Sequence, residues 1–153
     1  MMTKNSAPRV SDPPKNGSER AFKMPIRHIL VPTDLASDGR KAIDYAMAIA
    51  RRFNANLILA HIYDPAYSYV EMQEVIKKLE LLCNELRGEH AAVEFRVGVG
   101  VPYLQIPAIA KEMHTDLMVI ARHNYNWLEQ VIFGPSAEEI LRRTTCPVLV
   151  VNE

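Results

Sequence analysis

Three side chains suited to acid–base or metal chemistry fall at the ends of apolar stretches. Asp34 follows His28–Pro32, His61 closes Leu57–His61, and His123 follows Asp116–Ile120. If these stretches are parallel strands of one sheet, their carboxyl ends share an edge and the three groups converge on one crevice. Two histidines and an aspartate could bind a metal by ligand type. No local pattern such as His-x-x-x-His supports that reading, and polar groups satisfied at strand ends account for the same residues. No metal site is therefore expected.

Nucleophilic catalysis has no better support. The chain has no Gly-x-Ser-x-Gly elbow, and Cys146 precedes the last strand, at the edge opposite the crevice. A phosphate-loop NTPase would need Gly-x-x-x-x-Gly-Lys-Ser/Thr, which is absent. Gly98-Val99-Gly100 begins a dinucleotide fingerprint that Val101-Pro102 breaks, so it reads as a turn before a helix with proline in its first turn. A phosphoacceptor domain would want paired acids after the first strand, where Asp34 stands alone, and a lysine after the fifth. No catalytic residue is assigned.

One loop does hold the position of an anion site. The segment from Ala121, Arg122, His123 and Asn124 to Gly134, Pro135 and Ser136 joins a strand to a helix. Free N–H groups and the helix dipole favour anions there, provided that small side chains let a phosphate reach the backbone. This loop is nearly without glycine. Ser136-Ala137-Glu138-Glu139 matches a capping box at the start of the helix.

The elements that must position these groups alternate along the chain. His28–Pro32, Leu57–His61, Val93–Val97, Asp116–Ile120 and Pro147–Val151 are apolar strands. Between them, Ala42, Ile43, Ala46, Ile49, Ala50 and Phe53 recur at helical spacing, with Arg40, Lys41, Arg51 and Arg52 on the wet side. Met72, Val75, Ile76, Leu79, Leu82 and Leu86 mark a second helix, with Glu74 and Lys78 at a supportive spacing of four. Leu104, Ile106, Ile109, Ala110 and Met113 mark a third, and Ile140 and Leu141 lie in a fourth. Five apolar strands separated by helices predict an α/β fold, a five-stranded parallel sheet covered on both faces with right-handed crossovers. Residues 1–24 are polar and proline-rich and read as a disordered tail, leaving 25–153 as one domain.

Composition narrows the function classes. The 153 residues are 48% hydrophobic and 24% charged, and 18 basic residues balance 18 acidic ones. A balanced charge argues against a nucleic-acid or anionic-membrane partner. No apolar run approaches the ~20 residues of a membrane span, and no secretory pattern opens the chain, so a cytoplasmic location is expected. Two cysteines outside any Cys-x-x-Cys spacing, Cys83 and Cys146, read as buried reduced thiols.

Three blocks in this order resemble the universal stress protein family over roughly Pro25 to Asn152. They are Ile29–Asp34, then Gly100–Pro102 leading through Ala110 to Asp116–Ile120, and Cys146–Val151. The resemblance implies a Rossmann-like three-layer sandwich of the adenine nucleotide alpha hydrolase-like type. It also implies a homodimer, often formed by pairing final strands, which here are Pro147, Val148, Leu149, Val150 and Val151. Members that bind ATP show glycine, two residues, glycine, nine residues, then glycine with serine or threonine. Those positions fall here at Ala121, Asn124, Gly134 and Pro135. Asn124 can still take a left-handed turn, Pro135 removes an N–H donor, and bulky Tyr125 and Trp127 stand mid-loop.

A candidate, degenerate ATP crevice thus comprises Pro32, Thr33, Asp34, Ile62, Ala121, Arg122, His123, Asn124, Gly134, Pro135 and Ser136. The favoured expectation is a non-enzymatic, homodimeric stress-response module with no cofactor. The alternative is an ATP-binding regulator, with or without slow hydrolysis. A third reading is a different small ligand in a crevice lined by Trp127.

Overall fold

The computed structural model describes residues 25–35, 39–66, 68–89, 92–122 and 135–152. The elements run β1 (His28–Pro32), α1 (Arg40–Phe53), β2 (Asn56–Tyr63), α2 (Tyr69–Arg87), β3 (Val93–Val99), α3 (Pro102–Glu112), β4 (Leu117–Arg122), α4 (Pro135–Arg143) and β5 (Val148–Asn152). All strands are parallel, in the order β3-β2-β1-β4-β5. The predicted five-stranded α/β sheet is therefore the fold. The order reverses between β1 and β4, so the switch point lies where their carboxyl ends part.

The strands read as continuous apolar runs because each buries side chains on both faces. Ile29, Val31, Leu57, Leu59, Val119 and Ala121 meet Ala42, Ile43, Ala46, Met47 and Ala50 of α1 and Leu79, Cys83 and Leu86 of α2. Leu30, Ile58, Ala60, Met118 and Ile120 meet Ile106, Ile109 and Ala110 of α3 and Ile140 of α4. Odd and even strand positions thus serve opposite layers, as the two-residue period requires.

The edges differ from expectation in detail. Phe53, Leu104 and Leu141 continue helical apolar spacing yet stay largely exposed, because each falls at the margin of a stripe whose centre already fills the contact. β2 and β3 run past the expected ends to Tyr63 and Val99. Gly98 is consequently a strand residue. A Cβ there would stand 2.9 Å from Ile62 Cδ1 and 3.2 Å from Gln105 Cβ, so the absent side chain lets α3 lie close to the sheet. The turn itself falls at Gly100, whose φ of +116° suits glycine.

The side chain of Ser136, in the expected capping box of the fourth helix, lies outside the described residues. α4 already includes Pro135 and Ser136, and the Glu139 carboxylate accepts a hydrogen bond at 2.6 Å from Arg143 Nε, one turn on. A reciprocal capping box forms at the start of α2. There Ser68 N–H donates to Glu71 Oε2 at 2.6 Å, and Glu71 N–H donates to Ser68 Oγ at 3.4 Å. Ser68-Tyr69-Val70-Glu71 carries the same Ser-x-x-Glu spacing. Among the described residues no helix is long and apolar enough to cross a membrane.

Candidate functional site

The chain leaves β1 through a turn fixed by its own polar groups. Thr33 N–H donates to Ala60 O at 2.8 Å, which extends the β1–β2 ladder by one bond. Thr33 is buried, and its Oγ1 accepts from Leu35 N–H at 3.1 Å. Leu35 sits in the left-handed region at φ 64°, where a β-carbon costs energy, so that hydrogen bond helps to hold a strained turn. His61 Nδ1 lies 2.9 Å from Thr33 O. A carbonyl only accepts, so Nδ1 carries the proton and β2 clamps the turn that presents Asp34.

Beside this turn lies a cavity of about 500 Å³. Asp34 reaches it from β1, and His61, Ile62, Tyr63 and Asp64 from the end of β2. Glu71, Glu74, Val75 and Lys78 form its wall on α2, and Gly100 and Pro102 close it from the β3–α3 turn. Glu71, Glu74 and Val75, and Lys78 recur every three or four residues, so they share one helix face. Glu74 and Lys78, expected to support each other, form no ion pair. Among the described residues, four carboxylates and one ammonium border the cavity over an apolar lining of Ile62, Tyr63, Val75 and Pro102.

Among the described residues, several backbone donors near the mouth are engaged within the protein. Gly100 N–H donates to Tyr63 O at 2.9 Å. Ala66 N–H donates to Asp64 Oδ1 at 2.9 Å, and Ser68 and Glu71 exchange the bonds of the capping box. The Tyr63 hydroxyl donates to Ser68 O. Hydrogen bonds from the Ser68 backbone and then its hydroxyl hold the Glu71 carboxyl below the ordinary glutamate range, so it is charged at neutral pH.

The candidate residues do not all gather here. Asp34 and Ile62 line the same cavity, whereas Thr33 lines a neighbouring groove of about 380 Å³ between α1 and α2. Arg40 and Glu85 border that groove in a 2.8 Å ion pair, and Lys78 lines both spaces. Pro32 is buried in β1, opposite Ala60 of β2. Ala121 and Arg122 belong to β4 rather than to the loop, with Ala121 packed in the α1/α2 core. Pro135 and Ser136 are the first residues of α4. His123, Asn124 and Gly134 lie outside the described residues, as do Tyr125 and Trp127.

The proposed dimer strand occupies the sheet edge. In β5, Leu149 and Val150 are 37% and 42% exposed, while Val151 is buried in the core and Pro147 precedes the strand. Among the described residues no three His, Cys, Asp or Glu side chains cluster closely enough to hold a metal. Both thiols are free, and burial pushes both upward in pKa, away from thiolate chemistry.

The α2 wall was missed from sequence. Ser68–Glu71 could have marked where α2 begins, and the three-to-four-residue recurrence from Glu71 would then have identified one charged face. That this face leans over the ends of β2 and β3 required the fold.

The profile of the Universal stress protein family matches residues 25–152. A universal stress protein of Staphylococcus haemolyticus is 30% identical over 139 residues, which cover 82% of this chain and 84% of that one. One from Methanocaldococcus jannaschii is 27% identical, covering 83% and 82%. Among solved structures, a universal stress protein in complex with cAMP superposes with a TM-score of 0.67 at 25% identity, over 83% of this chain and 97% of the other. A universal stress protein from Archaeoglobus fulgidus in complex with dAMP gives 0.64 at 19% identity, over 81% and 96%. The family profile spans most of the chain and one relative is 30% identical over 82% of it, and the chain belongs to the universal stress protein family.

Proposed function

We propose that this protein is a non-enzymatic, homodimeric regulatory module of the cytoplasmic stress response that does not hold ATP. The observation carrying this reading is the mouth of the cavity. Asp34, Asp64, Glu71 and Glu74 surround it, and the N–H groups of Ala66, Ser68, Glu71 and Gly100 already have internal acceptors. A polyphosphate needs free donors and positive potential. Solvent screens exposed carboxylates but does not change the sign of their repulsion. On the other side of the switch point, Pro135 offers no N–H at the first position of α4.

The homodimer reading is supported by Leu149 and Val150, which expose apolar surface on an edge strand that otherwise invites unwanted pairing. Sedimentation should find a dimer, and Val150→Lys should shift it to monomer. A wild-type monomer at micromolar concentration would remove this part of the reading. A reducing location suits two free cysteines.

A second reading, adenine-nucleotide binding, draws on Asp34 and Ile62 lining one cavity and on the cAMP complex of a relative. Acid extraction of the purified protein followed by nucleotide chromatography separates the two. The first reading expects an empty extract; stoichiometric adenine nucleotide would favour the second.

A further inference from the structure

We infer that the carboxyl half of β3 is a docking edge for the same stretch of a second copy of this chain, paired antiparallel about Gly98. This interface lies on the sheet edge opposite β5 and does not depend on the β5 pairing proposed above.

The register shows which backbone groups are open. Leu57 N–H donates to Ala92 O at 2.8 Å, and Gly100 N–H donates to Tyr63 O at 2.9 Å. Even-numbered residues from 92 to 100 therefore turn their backbone groups to β2, and Val93, Phe95, Val97 and Val99 turn theirs outward, because the groups of a strand alternate in direction. The amino half of that outward edge is covered. Val93 O accepts from Arg87 Nε at 2.9 Å, and Phe95 O accepts from Arg96 Nη1 at 3.0 Å. Glu94 Oε2 lies 3.1 Å from the same Arg96 nitrogen and steadies it. Past the strand, Val101 O accepts from the N–H groups of Leu104 and Gln105, both at 3.0 Å. Between these limits, the N–H and C=O groups of Val97 and Val99 have no partner among the described residues. Arginines over one half of an edge strand and none over the other leave a short template for pairing.

The surroundings select the occupant. Tyr69 stands eighteen residues before Arg87 on α2, five full turns, so it lies on the side of the helix that reaches the β3 edge. Tyr69, Val99 and Val101 are exposed, and Gln105 of α3 lies against Gly98 and Gly100. None of these carries a charge, so the edge fits an uncharged extended strand. Residues 1–24 do not supply one, since every five-residue stretch of them holds a charged side chain. Val97-Gly98-Val99-Gly100-Val101 is uncharged throughout. Across a two-fold axis at Gly98, Val97 of each copy faces Val99 of the other, and each such antiparallel pair exchanges two hydrogen bonds. All four open groups of each copy are thereby used.

Four hydrogen bonds and a few apolar side chains form a small interface, under the ~1,200 Å² of total area where stable complexes begin, so it assembles only well above micromolar concentration. The test is sedimentation equilibrium of the full chain from about 10 to about 500 µM, a range that brackets such weak association. Residue-resolved amide hydrogen exchange is measured at both ends of the range. The expected result is a dimer at the low end and tetramers or longer species at the high end, with the Val97 and Val99 amides several-fold better protected there. Val99→Lys places a charge on the edge and should remove both the second association step and the added protection. Phe53→Lys, an exposed apolar-to-charged change on α1, should leave both unchanged. Melting curves verify that the variants are folded. Absence of the second step, its survival in Val99→Lys or its loss in Phe53→Lys would overturn the inference and leave the β5 dimer intact. A wild-type monomer at the low end that dimerises at the high end, and fails to do so as Val99→Lys, would support the β3 interface while removing the β5 one.

Discussion

The two ends of the β1–β4 seam use the same chemistry for different purposes. At the amino end, one Asp116 carboxylate oxygen accepts from the backbone N–H groups of Arg27 at 2.7 Å and His28 at 2.9 Å, and Asp116 N–H returns a bond to His28 O at 2.9 Å. That end is closed by one acid serving two donors. At the carboxyl end, donors are satisfied by main-chain carbonyls, a hydroxyl and local turns, while four carboxylates border an open space. At the amino end one acid closes the seam between two strands, whereas at the carboxyl end Asp64 and Glu71 each close a local turn of their own and Glu74 borders the open space.

Changes at each end should sharpen this contrast. The largest effect is expected from Gly98→Val on the β3 side of the cavity. Its branched side chain must displace Ile62 Cδ1 and crowd Gln105 and Ile109, at a cost of about 1–3 kcal/mol with an altered cavity. Denaturant melts check this; a neutral outcome would mean that α3 does not pack on Gly98 as closely as described. Next, Asp116→Ala removes the acceptor of the exposed Arg27 N–H and the part-buried His28 N–H and should cost about 1 kcal/mol in the same melts. An unchanged melt would break the contrast between the two ends.

Smaller effects should come from the α2 wall. Ser68→Ala removes the cap and should cost ~1 kcal/mol. Its partner adds a pH signature. The Glu71 carboxyl is held low in the folded state, so its contribution is present above the unfolded value of about 4.3 and is lost as pH falls through the folded value. The stability gap between the native chain and Glu71→Gln should therefore be open at neutral pH and close on acidification. A gap that widens in acid would contradict the assignment of the box.

Much of this fold was legible in the residues themselves. Runs such as Ile29–Val31 and Leu57–Ala60 bury both faces, so their continuous apolarity already required two covering layers and a parallel sheet. Asp34 and Ile62 were legible as crevice residues because they end adjacent strands. The cavity wall was not, since Glu71, Glu74 and Lys78 on their own read as the solvated face of an amphipathic helix. The Ser-x-x-Glu spacing at Ser68 shows the same limit, since only the structure reveals that Glu71 bonds back to Ser68. Gly98 looked like a turn for the same reason, because only the close approach of Ile62 and α3 explains a glycine inside a strand.

The central proposal is that this crevice does not hold ATP. Calorimetric titration of the full-length protein with magnesium ATP measures that claim directly. No saturable heat at millimolar nucleotide is the result expected from the carboxylate-bordered mouth and Pro135. Saturable binding in the micromolar range, weakened by Asp34→Ala, would contradict it.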